Sequence, residues 1–333
     1  MGIAHYLKEI GRGHAGARAL TRTQASDLMG QILDEQVSDL EVGGFCLAMR
    51  IKGETPEEMA GFLDAVEARL TRWPSPSEQV TVVLPSYNGA RKLPVLTPLL
   101  ALLLAREGLP VVVHGTPTES SRVLSQEVFQ ALGIAPRSTL APVNAGEVAL
   151  APTELLSPAL QKLLNVRRVV GLRNSAHSLV KLMNVVSGPS LRVASYTHPE
   201  YAVSMAATFS LLQAHALLLR GTEGEVVADA RRQPQMDGFV AGEKISLQAH
   251  QAGPLTQLPQ LPTQVDAAST ADYIRAVLQG HLPVPEPIAR QVACILDLSR
   301  RLPLSLSESA ARVPLLFLPW SPWWAPVRAT LSC

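Results

Sequence analysis

The sequence predicts an α/β protein with a small helical N-terminal domain and a large α/β domain built on a mainly parallel central sheet. Three observations carry this prediction. The 333 residues suffice for about two domains. The residues before position 77 show only helical patterns, and from position 80 onward short apolar strands alternate with helices, as in βαβ units. Hydrophobic residues make up 47% of the chain, which excludes a disordered protein.

The N-terminal helices are predicted from capping residues and apolar spacing. Thr23 can cap a helix whose apolar residues recur at intervals of three and four positions. Thr55 opens a capping box that has Pro56 at the first helical position and Glu58 at the third. The proline- and serine-rich segment 73–77 then indicates a domain boundary.

The α/β pattern begins with residues 80–84, a short apolar run rich in β-branched residues that is typical of a buried parallel strand. The elements predicted after it are a helix over 97–107, a strand over 109–113, a helix over 118–132, a strand over 191–196, a helix over 199–214 and a strand over 216–219. Residues 251–265 are predicted to form a surface loop.

A helical insertion, residues 155–186, interrupts the α/β pattern and could pack back on the N-terminal helices. We therefore predict a discontinuous small helical dimerisation domain, made of 1–76 with about 155–190. The large α/β domain would consist of 77–154 with about 191–333.

Charge balance, cysteines and hydropathy exclude several classes of protein. Lys and Arg number 29 against 28 for Asp and Glu, so a uniformly basic protein is excluded but a local basic patch is not. Cys46, Cys294 and Cys333 form no CxxC pair, which indicates neither a metal site nor a disulfide framework. The charged N-terminus is unlike a signal peptide, and no apolar stretch is typical of a membrane span. We expect a cytoplasmic protein with no membrane partner.

Basic residues are concentrated where acidic residues are missing. No Asp or Glu lies between Glu154 and Glu200, or between Gln79 and Arg106. The candidate anion-binding residues in these stretches are Lys162, Arg167, Arg168, Arg173, His177 and Lys181, with Arg91 and Lys92 as flanking candidates.

Arg173, His177 and Lys181 fall at i, i+4 and i+8, on one side of a predicted helix, and Asn184 continues the stripe. A solvated helix face is the alternative interpretation, although such faces usually interleave both signs of charge. Charge alone leaves both interpretations open. Phosphate contacts from such a stripe would give affinity without sequence specificity.

Three N-terminal segments carry a resemblance to a known family. They are Glu9–Gly13, Leu20–Thr21 and Arg50–Glu58, which reads RIKGETPEE, and together they resemble the anthranilate phosphoribosyltransferase family. The similarity extends through His114-Gly115 to about residue 300. The resemblance implies a fold of the class-two nucleoside phosphorylase type, with a small helical domain that mediates a head-to-head dimer and a large α/β domain.

The motifs on which that family's chemistry depends are altered here. In place of a Gly-Thr-Gly-Gly-Asp phosphate loop, residues 84–92 read LPSYNGARK, where Pro85 removes an amide donor and Tyr87 adds bulk. The Lys-His-Gly-Asn-Arg motif keeps only its histidine and glycine. Valines stand where an Asp-Glu pair should hold magnesium, with Glu223 and Glu225 at shifted positions. Phosphoribosyl transfer would thereby lose its main electrostatic stabilisation.

The resemblance implies a vestigial phosphoribosyl pocket formed by Asn88, Gly89, His114, Gly115, Ser120 and Ser121.

Other segments, at 171–178, 181–182, 197–201 and 220–225, are similar to the YbiB-type branch of this superfamily. This resemblance implies a homodimer that binds DNA or RNA along a basic groove, independently of sequence and without transferase activity. We accordingly expect no catalytic residue, no metal and no cofactor.

The rival hypothesis is an enzyme of the phosphoribosyltransferase or nucleoside phosphorylase type. Its site would be rebuilt around His114, Ser120, Ser121 and Glu223, with magnesium. In a third hypothesis, a partner protein docks on the proline- and tryptophan-rich segment that begins at Pro303.

Several single residues allow two interpretations. His114 is either a ligand-facing relic or a hydrogen-bonded residue at the end of a strand. Ser120 and Ser121 could bind a phosphate at a helix start or cap that helix. Tyr87 could stack a base beside Arg91 and Lys92 or close a vacated pocket.

Overall fold

The computed structural model describes residues 2–13, 15–117 and 121–304, so Ser120 and the proline- and tryptophan-rich segment lie outside the described residues. The helices are α1 (Ala4–Ile10), α2 (Arg22–Leu33), α3 (Asp39–Lys52), α4 (Pro56–Glu67), α5 (Thr97–Arg106), α6 (Ser125–Ala131), α7 (Thr153–Leu156), α8 (Pro158–Val170), α9 (Ala176–Leu182), α10 (Pro199–Leu211), α11 (Ala267–Leu278) and α12 (Glu286–Arg301). The strands are β1 (Thr81–Pro85), β2 (Val111–His114), β3 (Val148–Ala151), β4 (Ser190–Tyr196), β5 (Ala216–Arg220), β6 (Met236–Val240) and β7 (Glu243–Gln248).

The strands form one mainly parallel sheet, which confirms the predicted fold class. Their order is β3-β2-β1-β4-β5-β6-β7, and the first five run parallel to one another. Strands β6 and β7 add an antiparallel hairpin that the sequence reading did not identify. Because β1 to β5 are parallel, the loops that follow them all leave the same edge of the sheet, the edge where ligands bind in open α/β sheets.

Two apolar cores lie on opposite faces of this sheet. Val82 and Leu84 of β1 point into a core shared with α5, α6, α11 and α12, while Val83 points into the other core. This alternation follows from the two-residue repeat of a strand. The core around Val83 continues into the N-terminal helices and into α8 and α9.

Helices α2, α3 and α4 of the N-terminal part each begin with a capping box. Thr55 caps α4 as predicted, with Pro56 in the first turn. The cap of α2 is Thr21 rather than Thr23, because Thr21 exchanges hydrogen bonds with Gln24. Helix α9 packs on α4 and α8 on α2, so the helices between β3 and β4 share a core with the N-terminal helices. The domain limits given above stay a prediction.

Two predicted helix bounds are wrong. The helix expected from residue 118 begins only at Ser125, because Val123 pairs with Ala90 in an isolated bridge. Helix α9 begins at Ala176, so Arg173 precedes it and Asn184 follows it instead of continuing a helical stripe. Within residues 2–13, 15–117 and 121–304, no helix combines the length and the apolar character that a bilayer crossing requires.

Candidate functional site

A cleft opens where the loops after β1 and β4 face α3, α9 and α10. We call it the central cleft. Its main part has a volume of about 550 Å³ and its outer part about 660 Å³, and the two adjoin at Arg173, Thr197 and His198. The cations that line it are Arg50, Arg91, Lys92, Arg122, Arg173 and Lys181. The acids that line it are Glu54, Glu200 and Glu223.

The loop after β1 is held by a buried carboxylate from the loop after β5. Glu225 is 1% exposed, and its Oε1 accepts the backbone N–H groups of Asn88 and Gly89, both at 2.9 Å. Its Oε2 accepts the hydroxyls of Ser86 at 2.5 Å and Thr97 at 2.9 Å. These amides are the kind of donors that would otherwise face an anion. The chain therefore supplies its own anion to this loop.

A second carboxylate repeats this arrangement on the next turn of the same loop. Glu223 accepts the backbone N–H groups of Arg91 (3.2 Å), Lys92 (2.9 Å) and Leu93 (3.1 Å). Its own backbone has a φ of 51°, in the left-handed region that non-glycine residues rarely adopt. The side chains of Arg91 and Lys92 remain exposed at the outer part of the cleft.

Tyr87 closes the pocket behind this loop. Its ring is buried, and its hydroxyl donates to the backbone carbonyl of His177 at 2.5 Å. Burial raises the pKa of Tyr87, so the phenol stays protonated and can donate. Of the two interpretations of Tyr87, the structure favours the one in which it closes a pocket, because a buried ring leaves little surface on which a base could stack.

Four predicted cations line the central cleft: Arg91 and Lys92 in its outer part, Lys181 in its main part, and Arg173 where the two parts meet. Arg173 donates from Nη2 to Asn88 Oδ1 at 2.9 Å, at the junction of the two parts of the cleft. Lys181 donates from Nζ to the Ser195 carbonyl at 3.3 Å and lies 6.0 Å from the centre of the Tyr87 ring. Burial lowers the pKa of Lys181 to about 8, so it is a cation at neutral pH.

His177 also lines the main part of the cleft, but as a buried wall residue. Its Nδ1 lies 3.2 Å from the backbone oxygen of Asn174. The predicted exposed stripe through Arg173, His177 and Lys181 is therefore wrong as a helix face, although all three residues reach one cleft.

The three basic residues predicted on α8 do not line the central cleft. Lys162 forms an exposed ion pair with Glu35, whose Oε1 lies 2.5 Å from Nζ. Glu35 follows α2, far away in the sequence, so the acid-free interval around Lys162 does not leave its charge unbalanced. Arg167 and Arg168 lie in the last turn of α8. The sequence grouped these residues with Arg173 only by proximity along the chain.

The residues of the predicted vestigial pocket separate into different environments. Asn88 and Gly89 bind Glu225, and Gly89 has a φ of 63° with no room for a Cβ beneath the Val123 carbonyl. His114 and Gly115 border a separate cavity of about 30 Å³. Ser121 lies in an exposed turn four residues before the start of α6. It therefore does not cap this helix, and it does not lie at the helix start, where free backbone amides could bind a phosphate.

His114 ends β2 and is almost fully buried. Among the described residues, neither of its ring nitrogens has a hydrogen-bond partner. Burial lowers the pKa of His114 to about 3, so the imidazole is neutral at physiological pH and adds no positive charge to an anion site. The adjacent cavity has room for about one water molecule.

Two basic residues of the cleft, Arg50 and Arg122, were not among the predicted site residues, and His198 and Tyr201 were considered only as part of a helix start. Arg50 lies in the last turn of α3, Arg122 lies in the turn before α6, His198 is the N-cap of α10 and Tyr201 lies in its first turn. Arg122 also donates to the Gly89 carbonyl at 3.3 Å. The rule that ligands bind at the carboxyl ends of parallel strands would have pointed to Arg122, His198 and Tyr201.

Comparisons with known proteins agree with this fold. Residues 4–69 match the glycosyl transferase family, helical bundle domain. The chain is 39% identical over 318 residues to the uncharacterized protein YbiB of Escherichia coli, covering 93% of this chain and 98% of that protein. It is 26% identical to the anthranilate phosphoribosyltransferase of Methanopyrus kandleri, over 82% of this chain and 84% of that one.

Solved structures agree on the architecture. Anthranilate phosphoribosyltransferase from Thermus thermophilus superposes with a TM-score of 0.66 at 22% identity, covering 89% of this chain and 88% of that chain. The Saccharomyces cerevisiae enzyme in complex with PRPP and Mg gives a TM-score of 0.64 at 15% identity, covering 90% and 89%. At these identities the superpositions establish the shared fold.

Proposed function

We propose a function for this chain from its family, because it belongs to the anthranilate phosphoribosyltransferase-like superfamily together with YbiB. In this proposal the protein is a homodimer that binds DNA or RNA without sequence preference. The observation that carries the proposal is the central cleft, where six cations face three acids. The excess of positive charge creates a potential that attracts a polyanion. The backbone phosphates of a nucleic acid would contact these cations.

The loop after β1 argues against phosphoribosyl transfer. Its amides at Asn88 and Gly89 are taken by Glu225, and those from Arg91 to Leu93 by Glu223. Under the rival hypothesis these two carboxylates would hold magnesium, yet here they are already engaged with the backbone. Formation of product from phosphoribosyl pyrophosphate, magnesium and an aromatic amine would favour the rival.

An apolar stripe on α3 supports the homodimer. Leu40, Leu47 and Ile51 fall at i, i+7 and i+11 on one side of the helix and are 85%, 47% and 54% exposed. A depression of about 240 Å³ lies between this stripe and α1. At Gly44 an added Cβ would meet only one Leu7 methyl group at 3.5 Å, so another backbone could approach closely. A second copy of the chain would cover this apolar surface.

We expect nucleic-acid binding to weaken steeply with salt. If the six cations of the cleft each neutralise one phosphate, the logarithm of the association constant falls with the logarithm of the salt concentration, at a slope of roughly −4 for a single strand and roughly −5.4 for a duplex. Fluorescence anisotropy with two unrelated sequences of equal length, titrated between low and high salt, measures this slope. A flat response, or affinities that depend strongly on the sequence, would refute the proposal.

We expect Ile51→Glu to dissociate the dimer, because a carboxylate buried at an apolar interface loses its hydration. Light scattering coupled to size exclusion should report the dimer mass for the unchanged protein and the monomer mass for the variant. The matched control is Leu258→Glu, which places the same charge on an exposed leucine of the loop 251–265. A dimer in both variants would contradict the assignment of this interface.

A further inference from the structure

The main part of the central cleft has a cationic floor beneath a partly apolar wall. Lys181 lies at the floor, between the Ser195 carbonyl and the face of the Tyr87 ring. The apolar wall is formed by Met49, Met59, Leu182 and Met205. The volume of about 550 Å³ falls within the roughly 300–1,000 Å³ of sites that bind small organic groups.

An exposed aromatic side chain stands at the entrance of this part. Tyr201, in the first turn of α10, is 48% exposed, and its ring centre lies 6.3 Å from that of His198. Exposed aromatic rings beside cations are the platforms on which proteins stack unpaired bases. Tyr201 therefore has the exposure that the buried Tyr87 lacks.

Two of the three acids of the cleft line its main part, whereas Glu223 in the outer part is bound by the backbone amides of residues 91–93. Glu54 and Glu200 both line the main part, and Glu54 accepts the hydroxyl of Ser175 at 2.5 Å. Carboxylates repel a phosphate, but they accept hydrogen bonds from the amino and imino groups of a base. Arg91 and Lys92 are exposed on the outer part, where a backbone phosphate can approach them.

A double helix and a single strand would use this cleft differently. A duplex keeps its bases stacked inside and offers only phosphates to the exposed cations. A single strand can place its phosphates on the same cations and also turn a base against the apolar wall. Only the single strand uses both parts of the cleft.

We infer that the main part of the central cleft receives an unpaired base of a DNA or RNA strand, stacked on Tyr201, while the cations that line the cleft hold the phosphates of the backbone. This inference rests on the proposed function and adds a preference for single strands over duplexes. The stacked base supplies affinity that does not depend on salt.

The test compares three fluorescent probes of about 20 nucleotides by anisotropy. They are a thymidine strand, a strand of the same length in which every nucleotide is abasic, and a duplex. The abasic strand keeps the backbone charge and lacks the bases. We expect the full-length protein to bind the thymidine strand at least about fivefold more tightly than the abasic strand.

Two variants identify the stacking residue. Tyr201→Ala should lower the affinity for the thymidine strand to that for the abasic strand and leave abasic and duplex binding unchanged, whereas Tyr201→Phe should retain the wild-type ratio. Equal affinity of the wild-type protein for both strands, or a uniform loss in Tyr201→Ala, would overturn the inference while the proposed function stands. Failure to bind any of the three probes would overturn both.

Discussion

Replacing Glu225 by alanine is expected to lower the free energy of unfolding by about 3–5 kcal/mol. The side chain accepts two buried amides, from Asn88 and Gly89, and the hydroxyls of Ser86 and Thr97. Without it these donors stay buried and lose their partner, and each unsatisfied donor costs about 1–3 kcal/mol. Urea denaturation followed by circular dichroism measures the change.

The control for this prediction is Glu243→Ala, which removes an exposed carboxylate from β7 and should change the unfolding free energy by no more than about 0.5 kcal/mol. Glu225→Gln keeps one oxygen acceptor and should fall between the alanine variant and the wild type. An unchanged urea midpoint in Glu225→Ala would show that the loop after β1 does not depend on this carboxylate.

The double variant Arg173→Ala/Lys181→Ala is expected to weaken nucleic-acid binding by at least roughly tenfold. Both residues are half-buried in the main part of the central cleft, and a strand that covers them removes their remaining contact with solvent. The salt dependence should become flatter by roughly 1.5–2 units of slope, because two phosphate contacts are lost. Anisotropy titrations at several salt concentrations give both quantities.

The matched control for this double variant is Arg275→Ala/Arg301→Ala, which removes the same charge from α11 and α12, where Asp272 and Asp297 pair with these arginines. It should leave the affinity nearly unchanged. Lys162→Ala should also have little effect, because Glu35 already pairs with that lysine. Equal losses in the two double variants would mean that net charge, and not the cleft, determines binding.

Lys181 makes nucleic-acid binding sensitive to pH. Since burial lowers the pKa of Lys181 to about 8, its positive charge is present below pH 8 and lost as the pH rises above it. Affinity should therefore fall between about pH 7 and pH 9, and Lys181→Arg should abolish this fall.

The pH dependence of folding stability has the opposite direction to that of binding. The unfolded chain binds the proton more tightly, so the contribution of Lys181 to stability increases from about pH 8 to pH 10.5.

Several helices and four of the five parallel strands were predictable because their signals are local, whereas β3 and the helices α11 and α12 were not identified. The capping box at Thr55 and the β-branched run that became β1 each need only a few neighbouring residues. The bounds of α9 were not predictable from spacing alone, since counting i, i+4 and i+8 from Arg173 cannot reveal that the helix starts three residues later.

The candidate site was predictable only in part, because it depends on contacts between distant segments. The interval without acids led to Arg173 and Lys181, which both line the central cleft, and also to Lys162, which pairs with Glu35 at a distance of 127 residues along the chain. Glu225 was noted as a displaced carboxylate, yet nothing in the sequence indicates that it binds the amides of Asn88 and Gly89. That contact exists only because β1 and β5 end at the same edge of the sheet.

The two glutamates in the loop after β5 have a consequence for how the protein responds to small solutes. A carboxylate tethered to the same chain acts at an effective concentration of the order of millimolar or more, and no change in the cell's phosphate or nucleotide pool dilutes it. The loop after β1 is therefore shaped before any partner arrives. A free phosphate would have to displace a carboxylate of the same chain from these amides, so we expect the loop after β1 to keep its shape when the phosphate concentration changes.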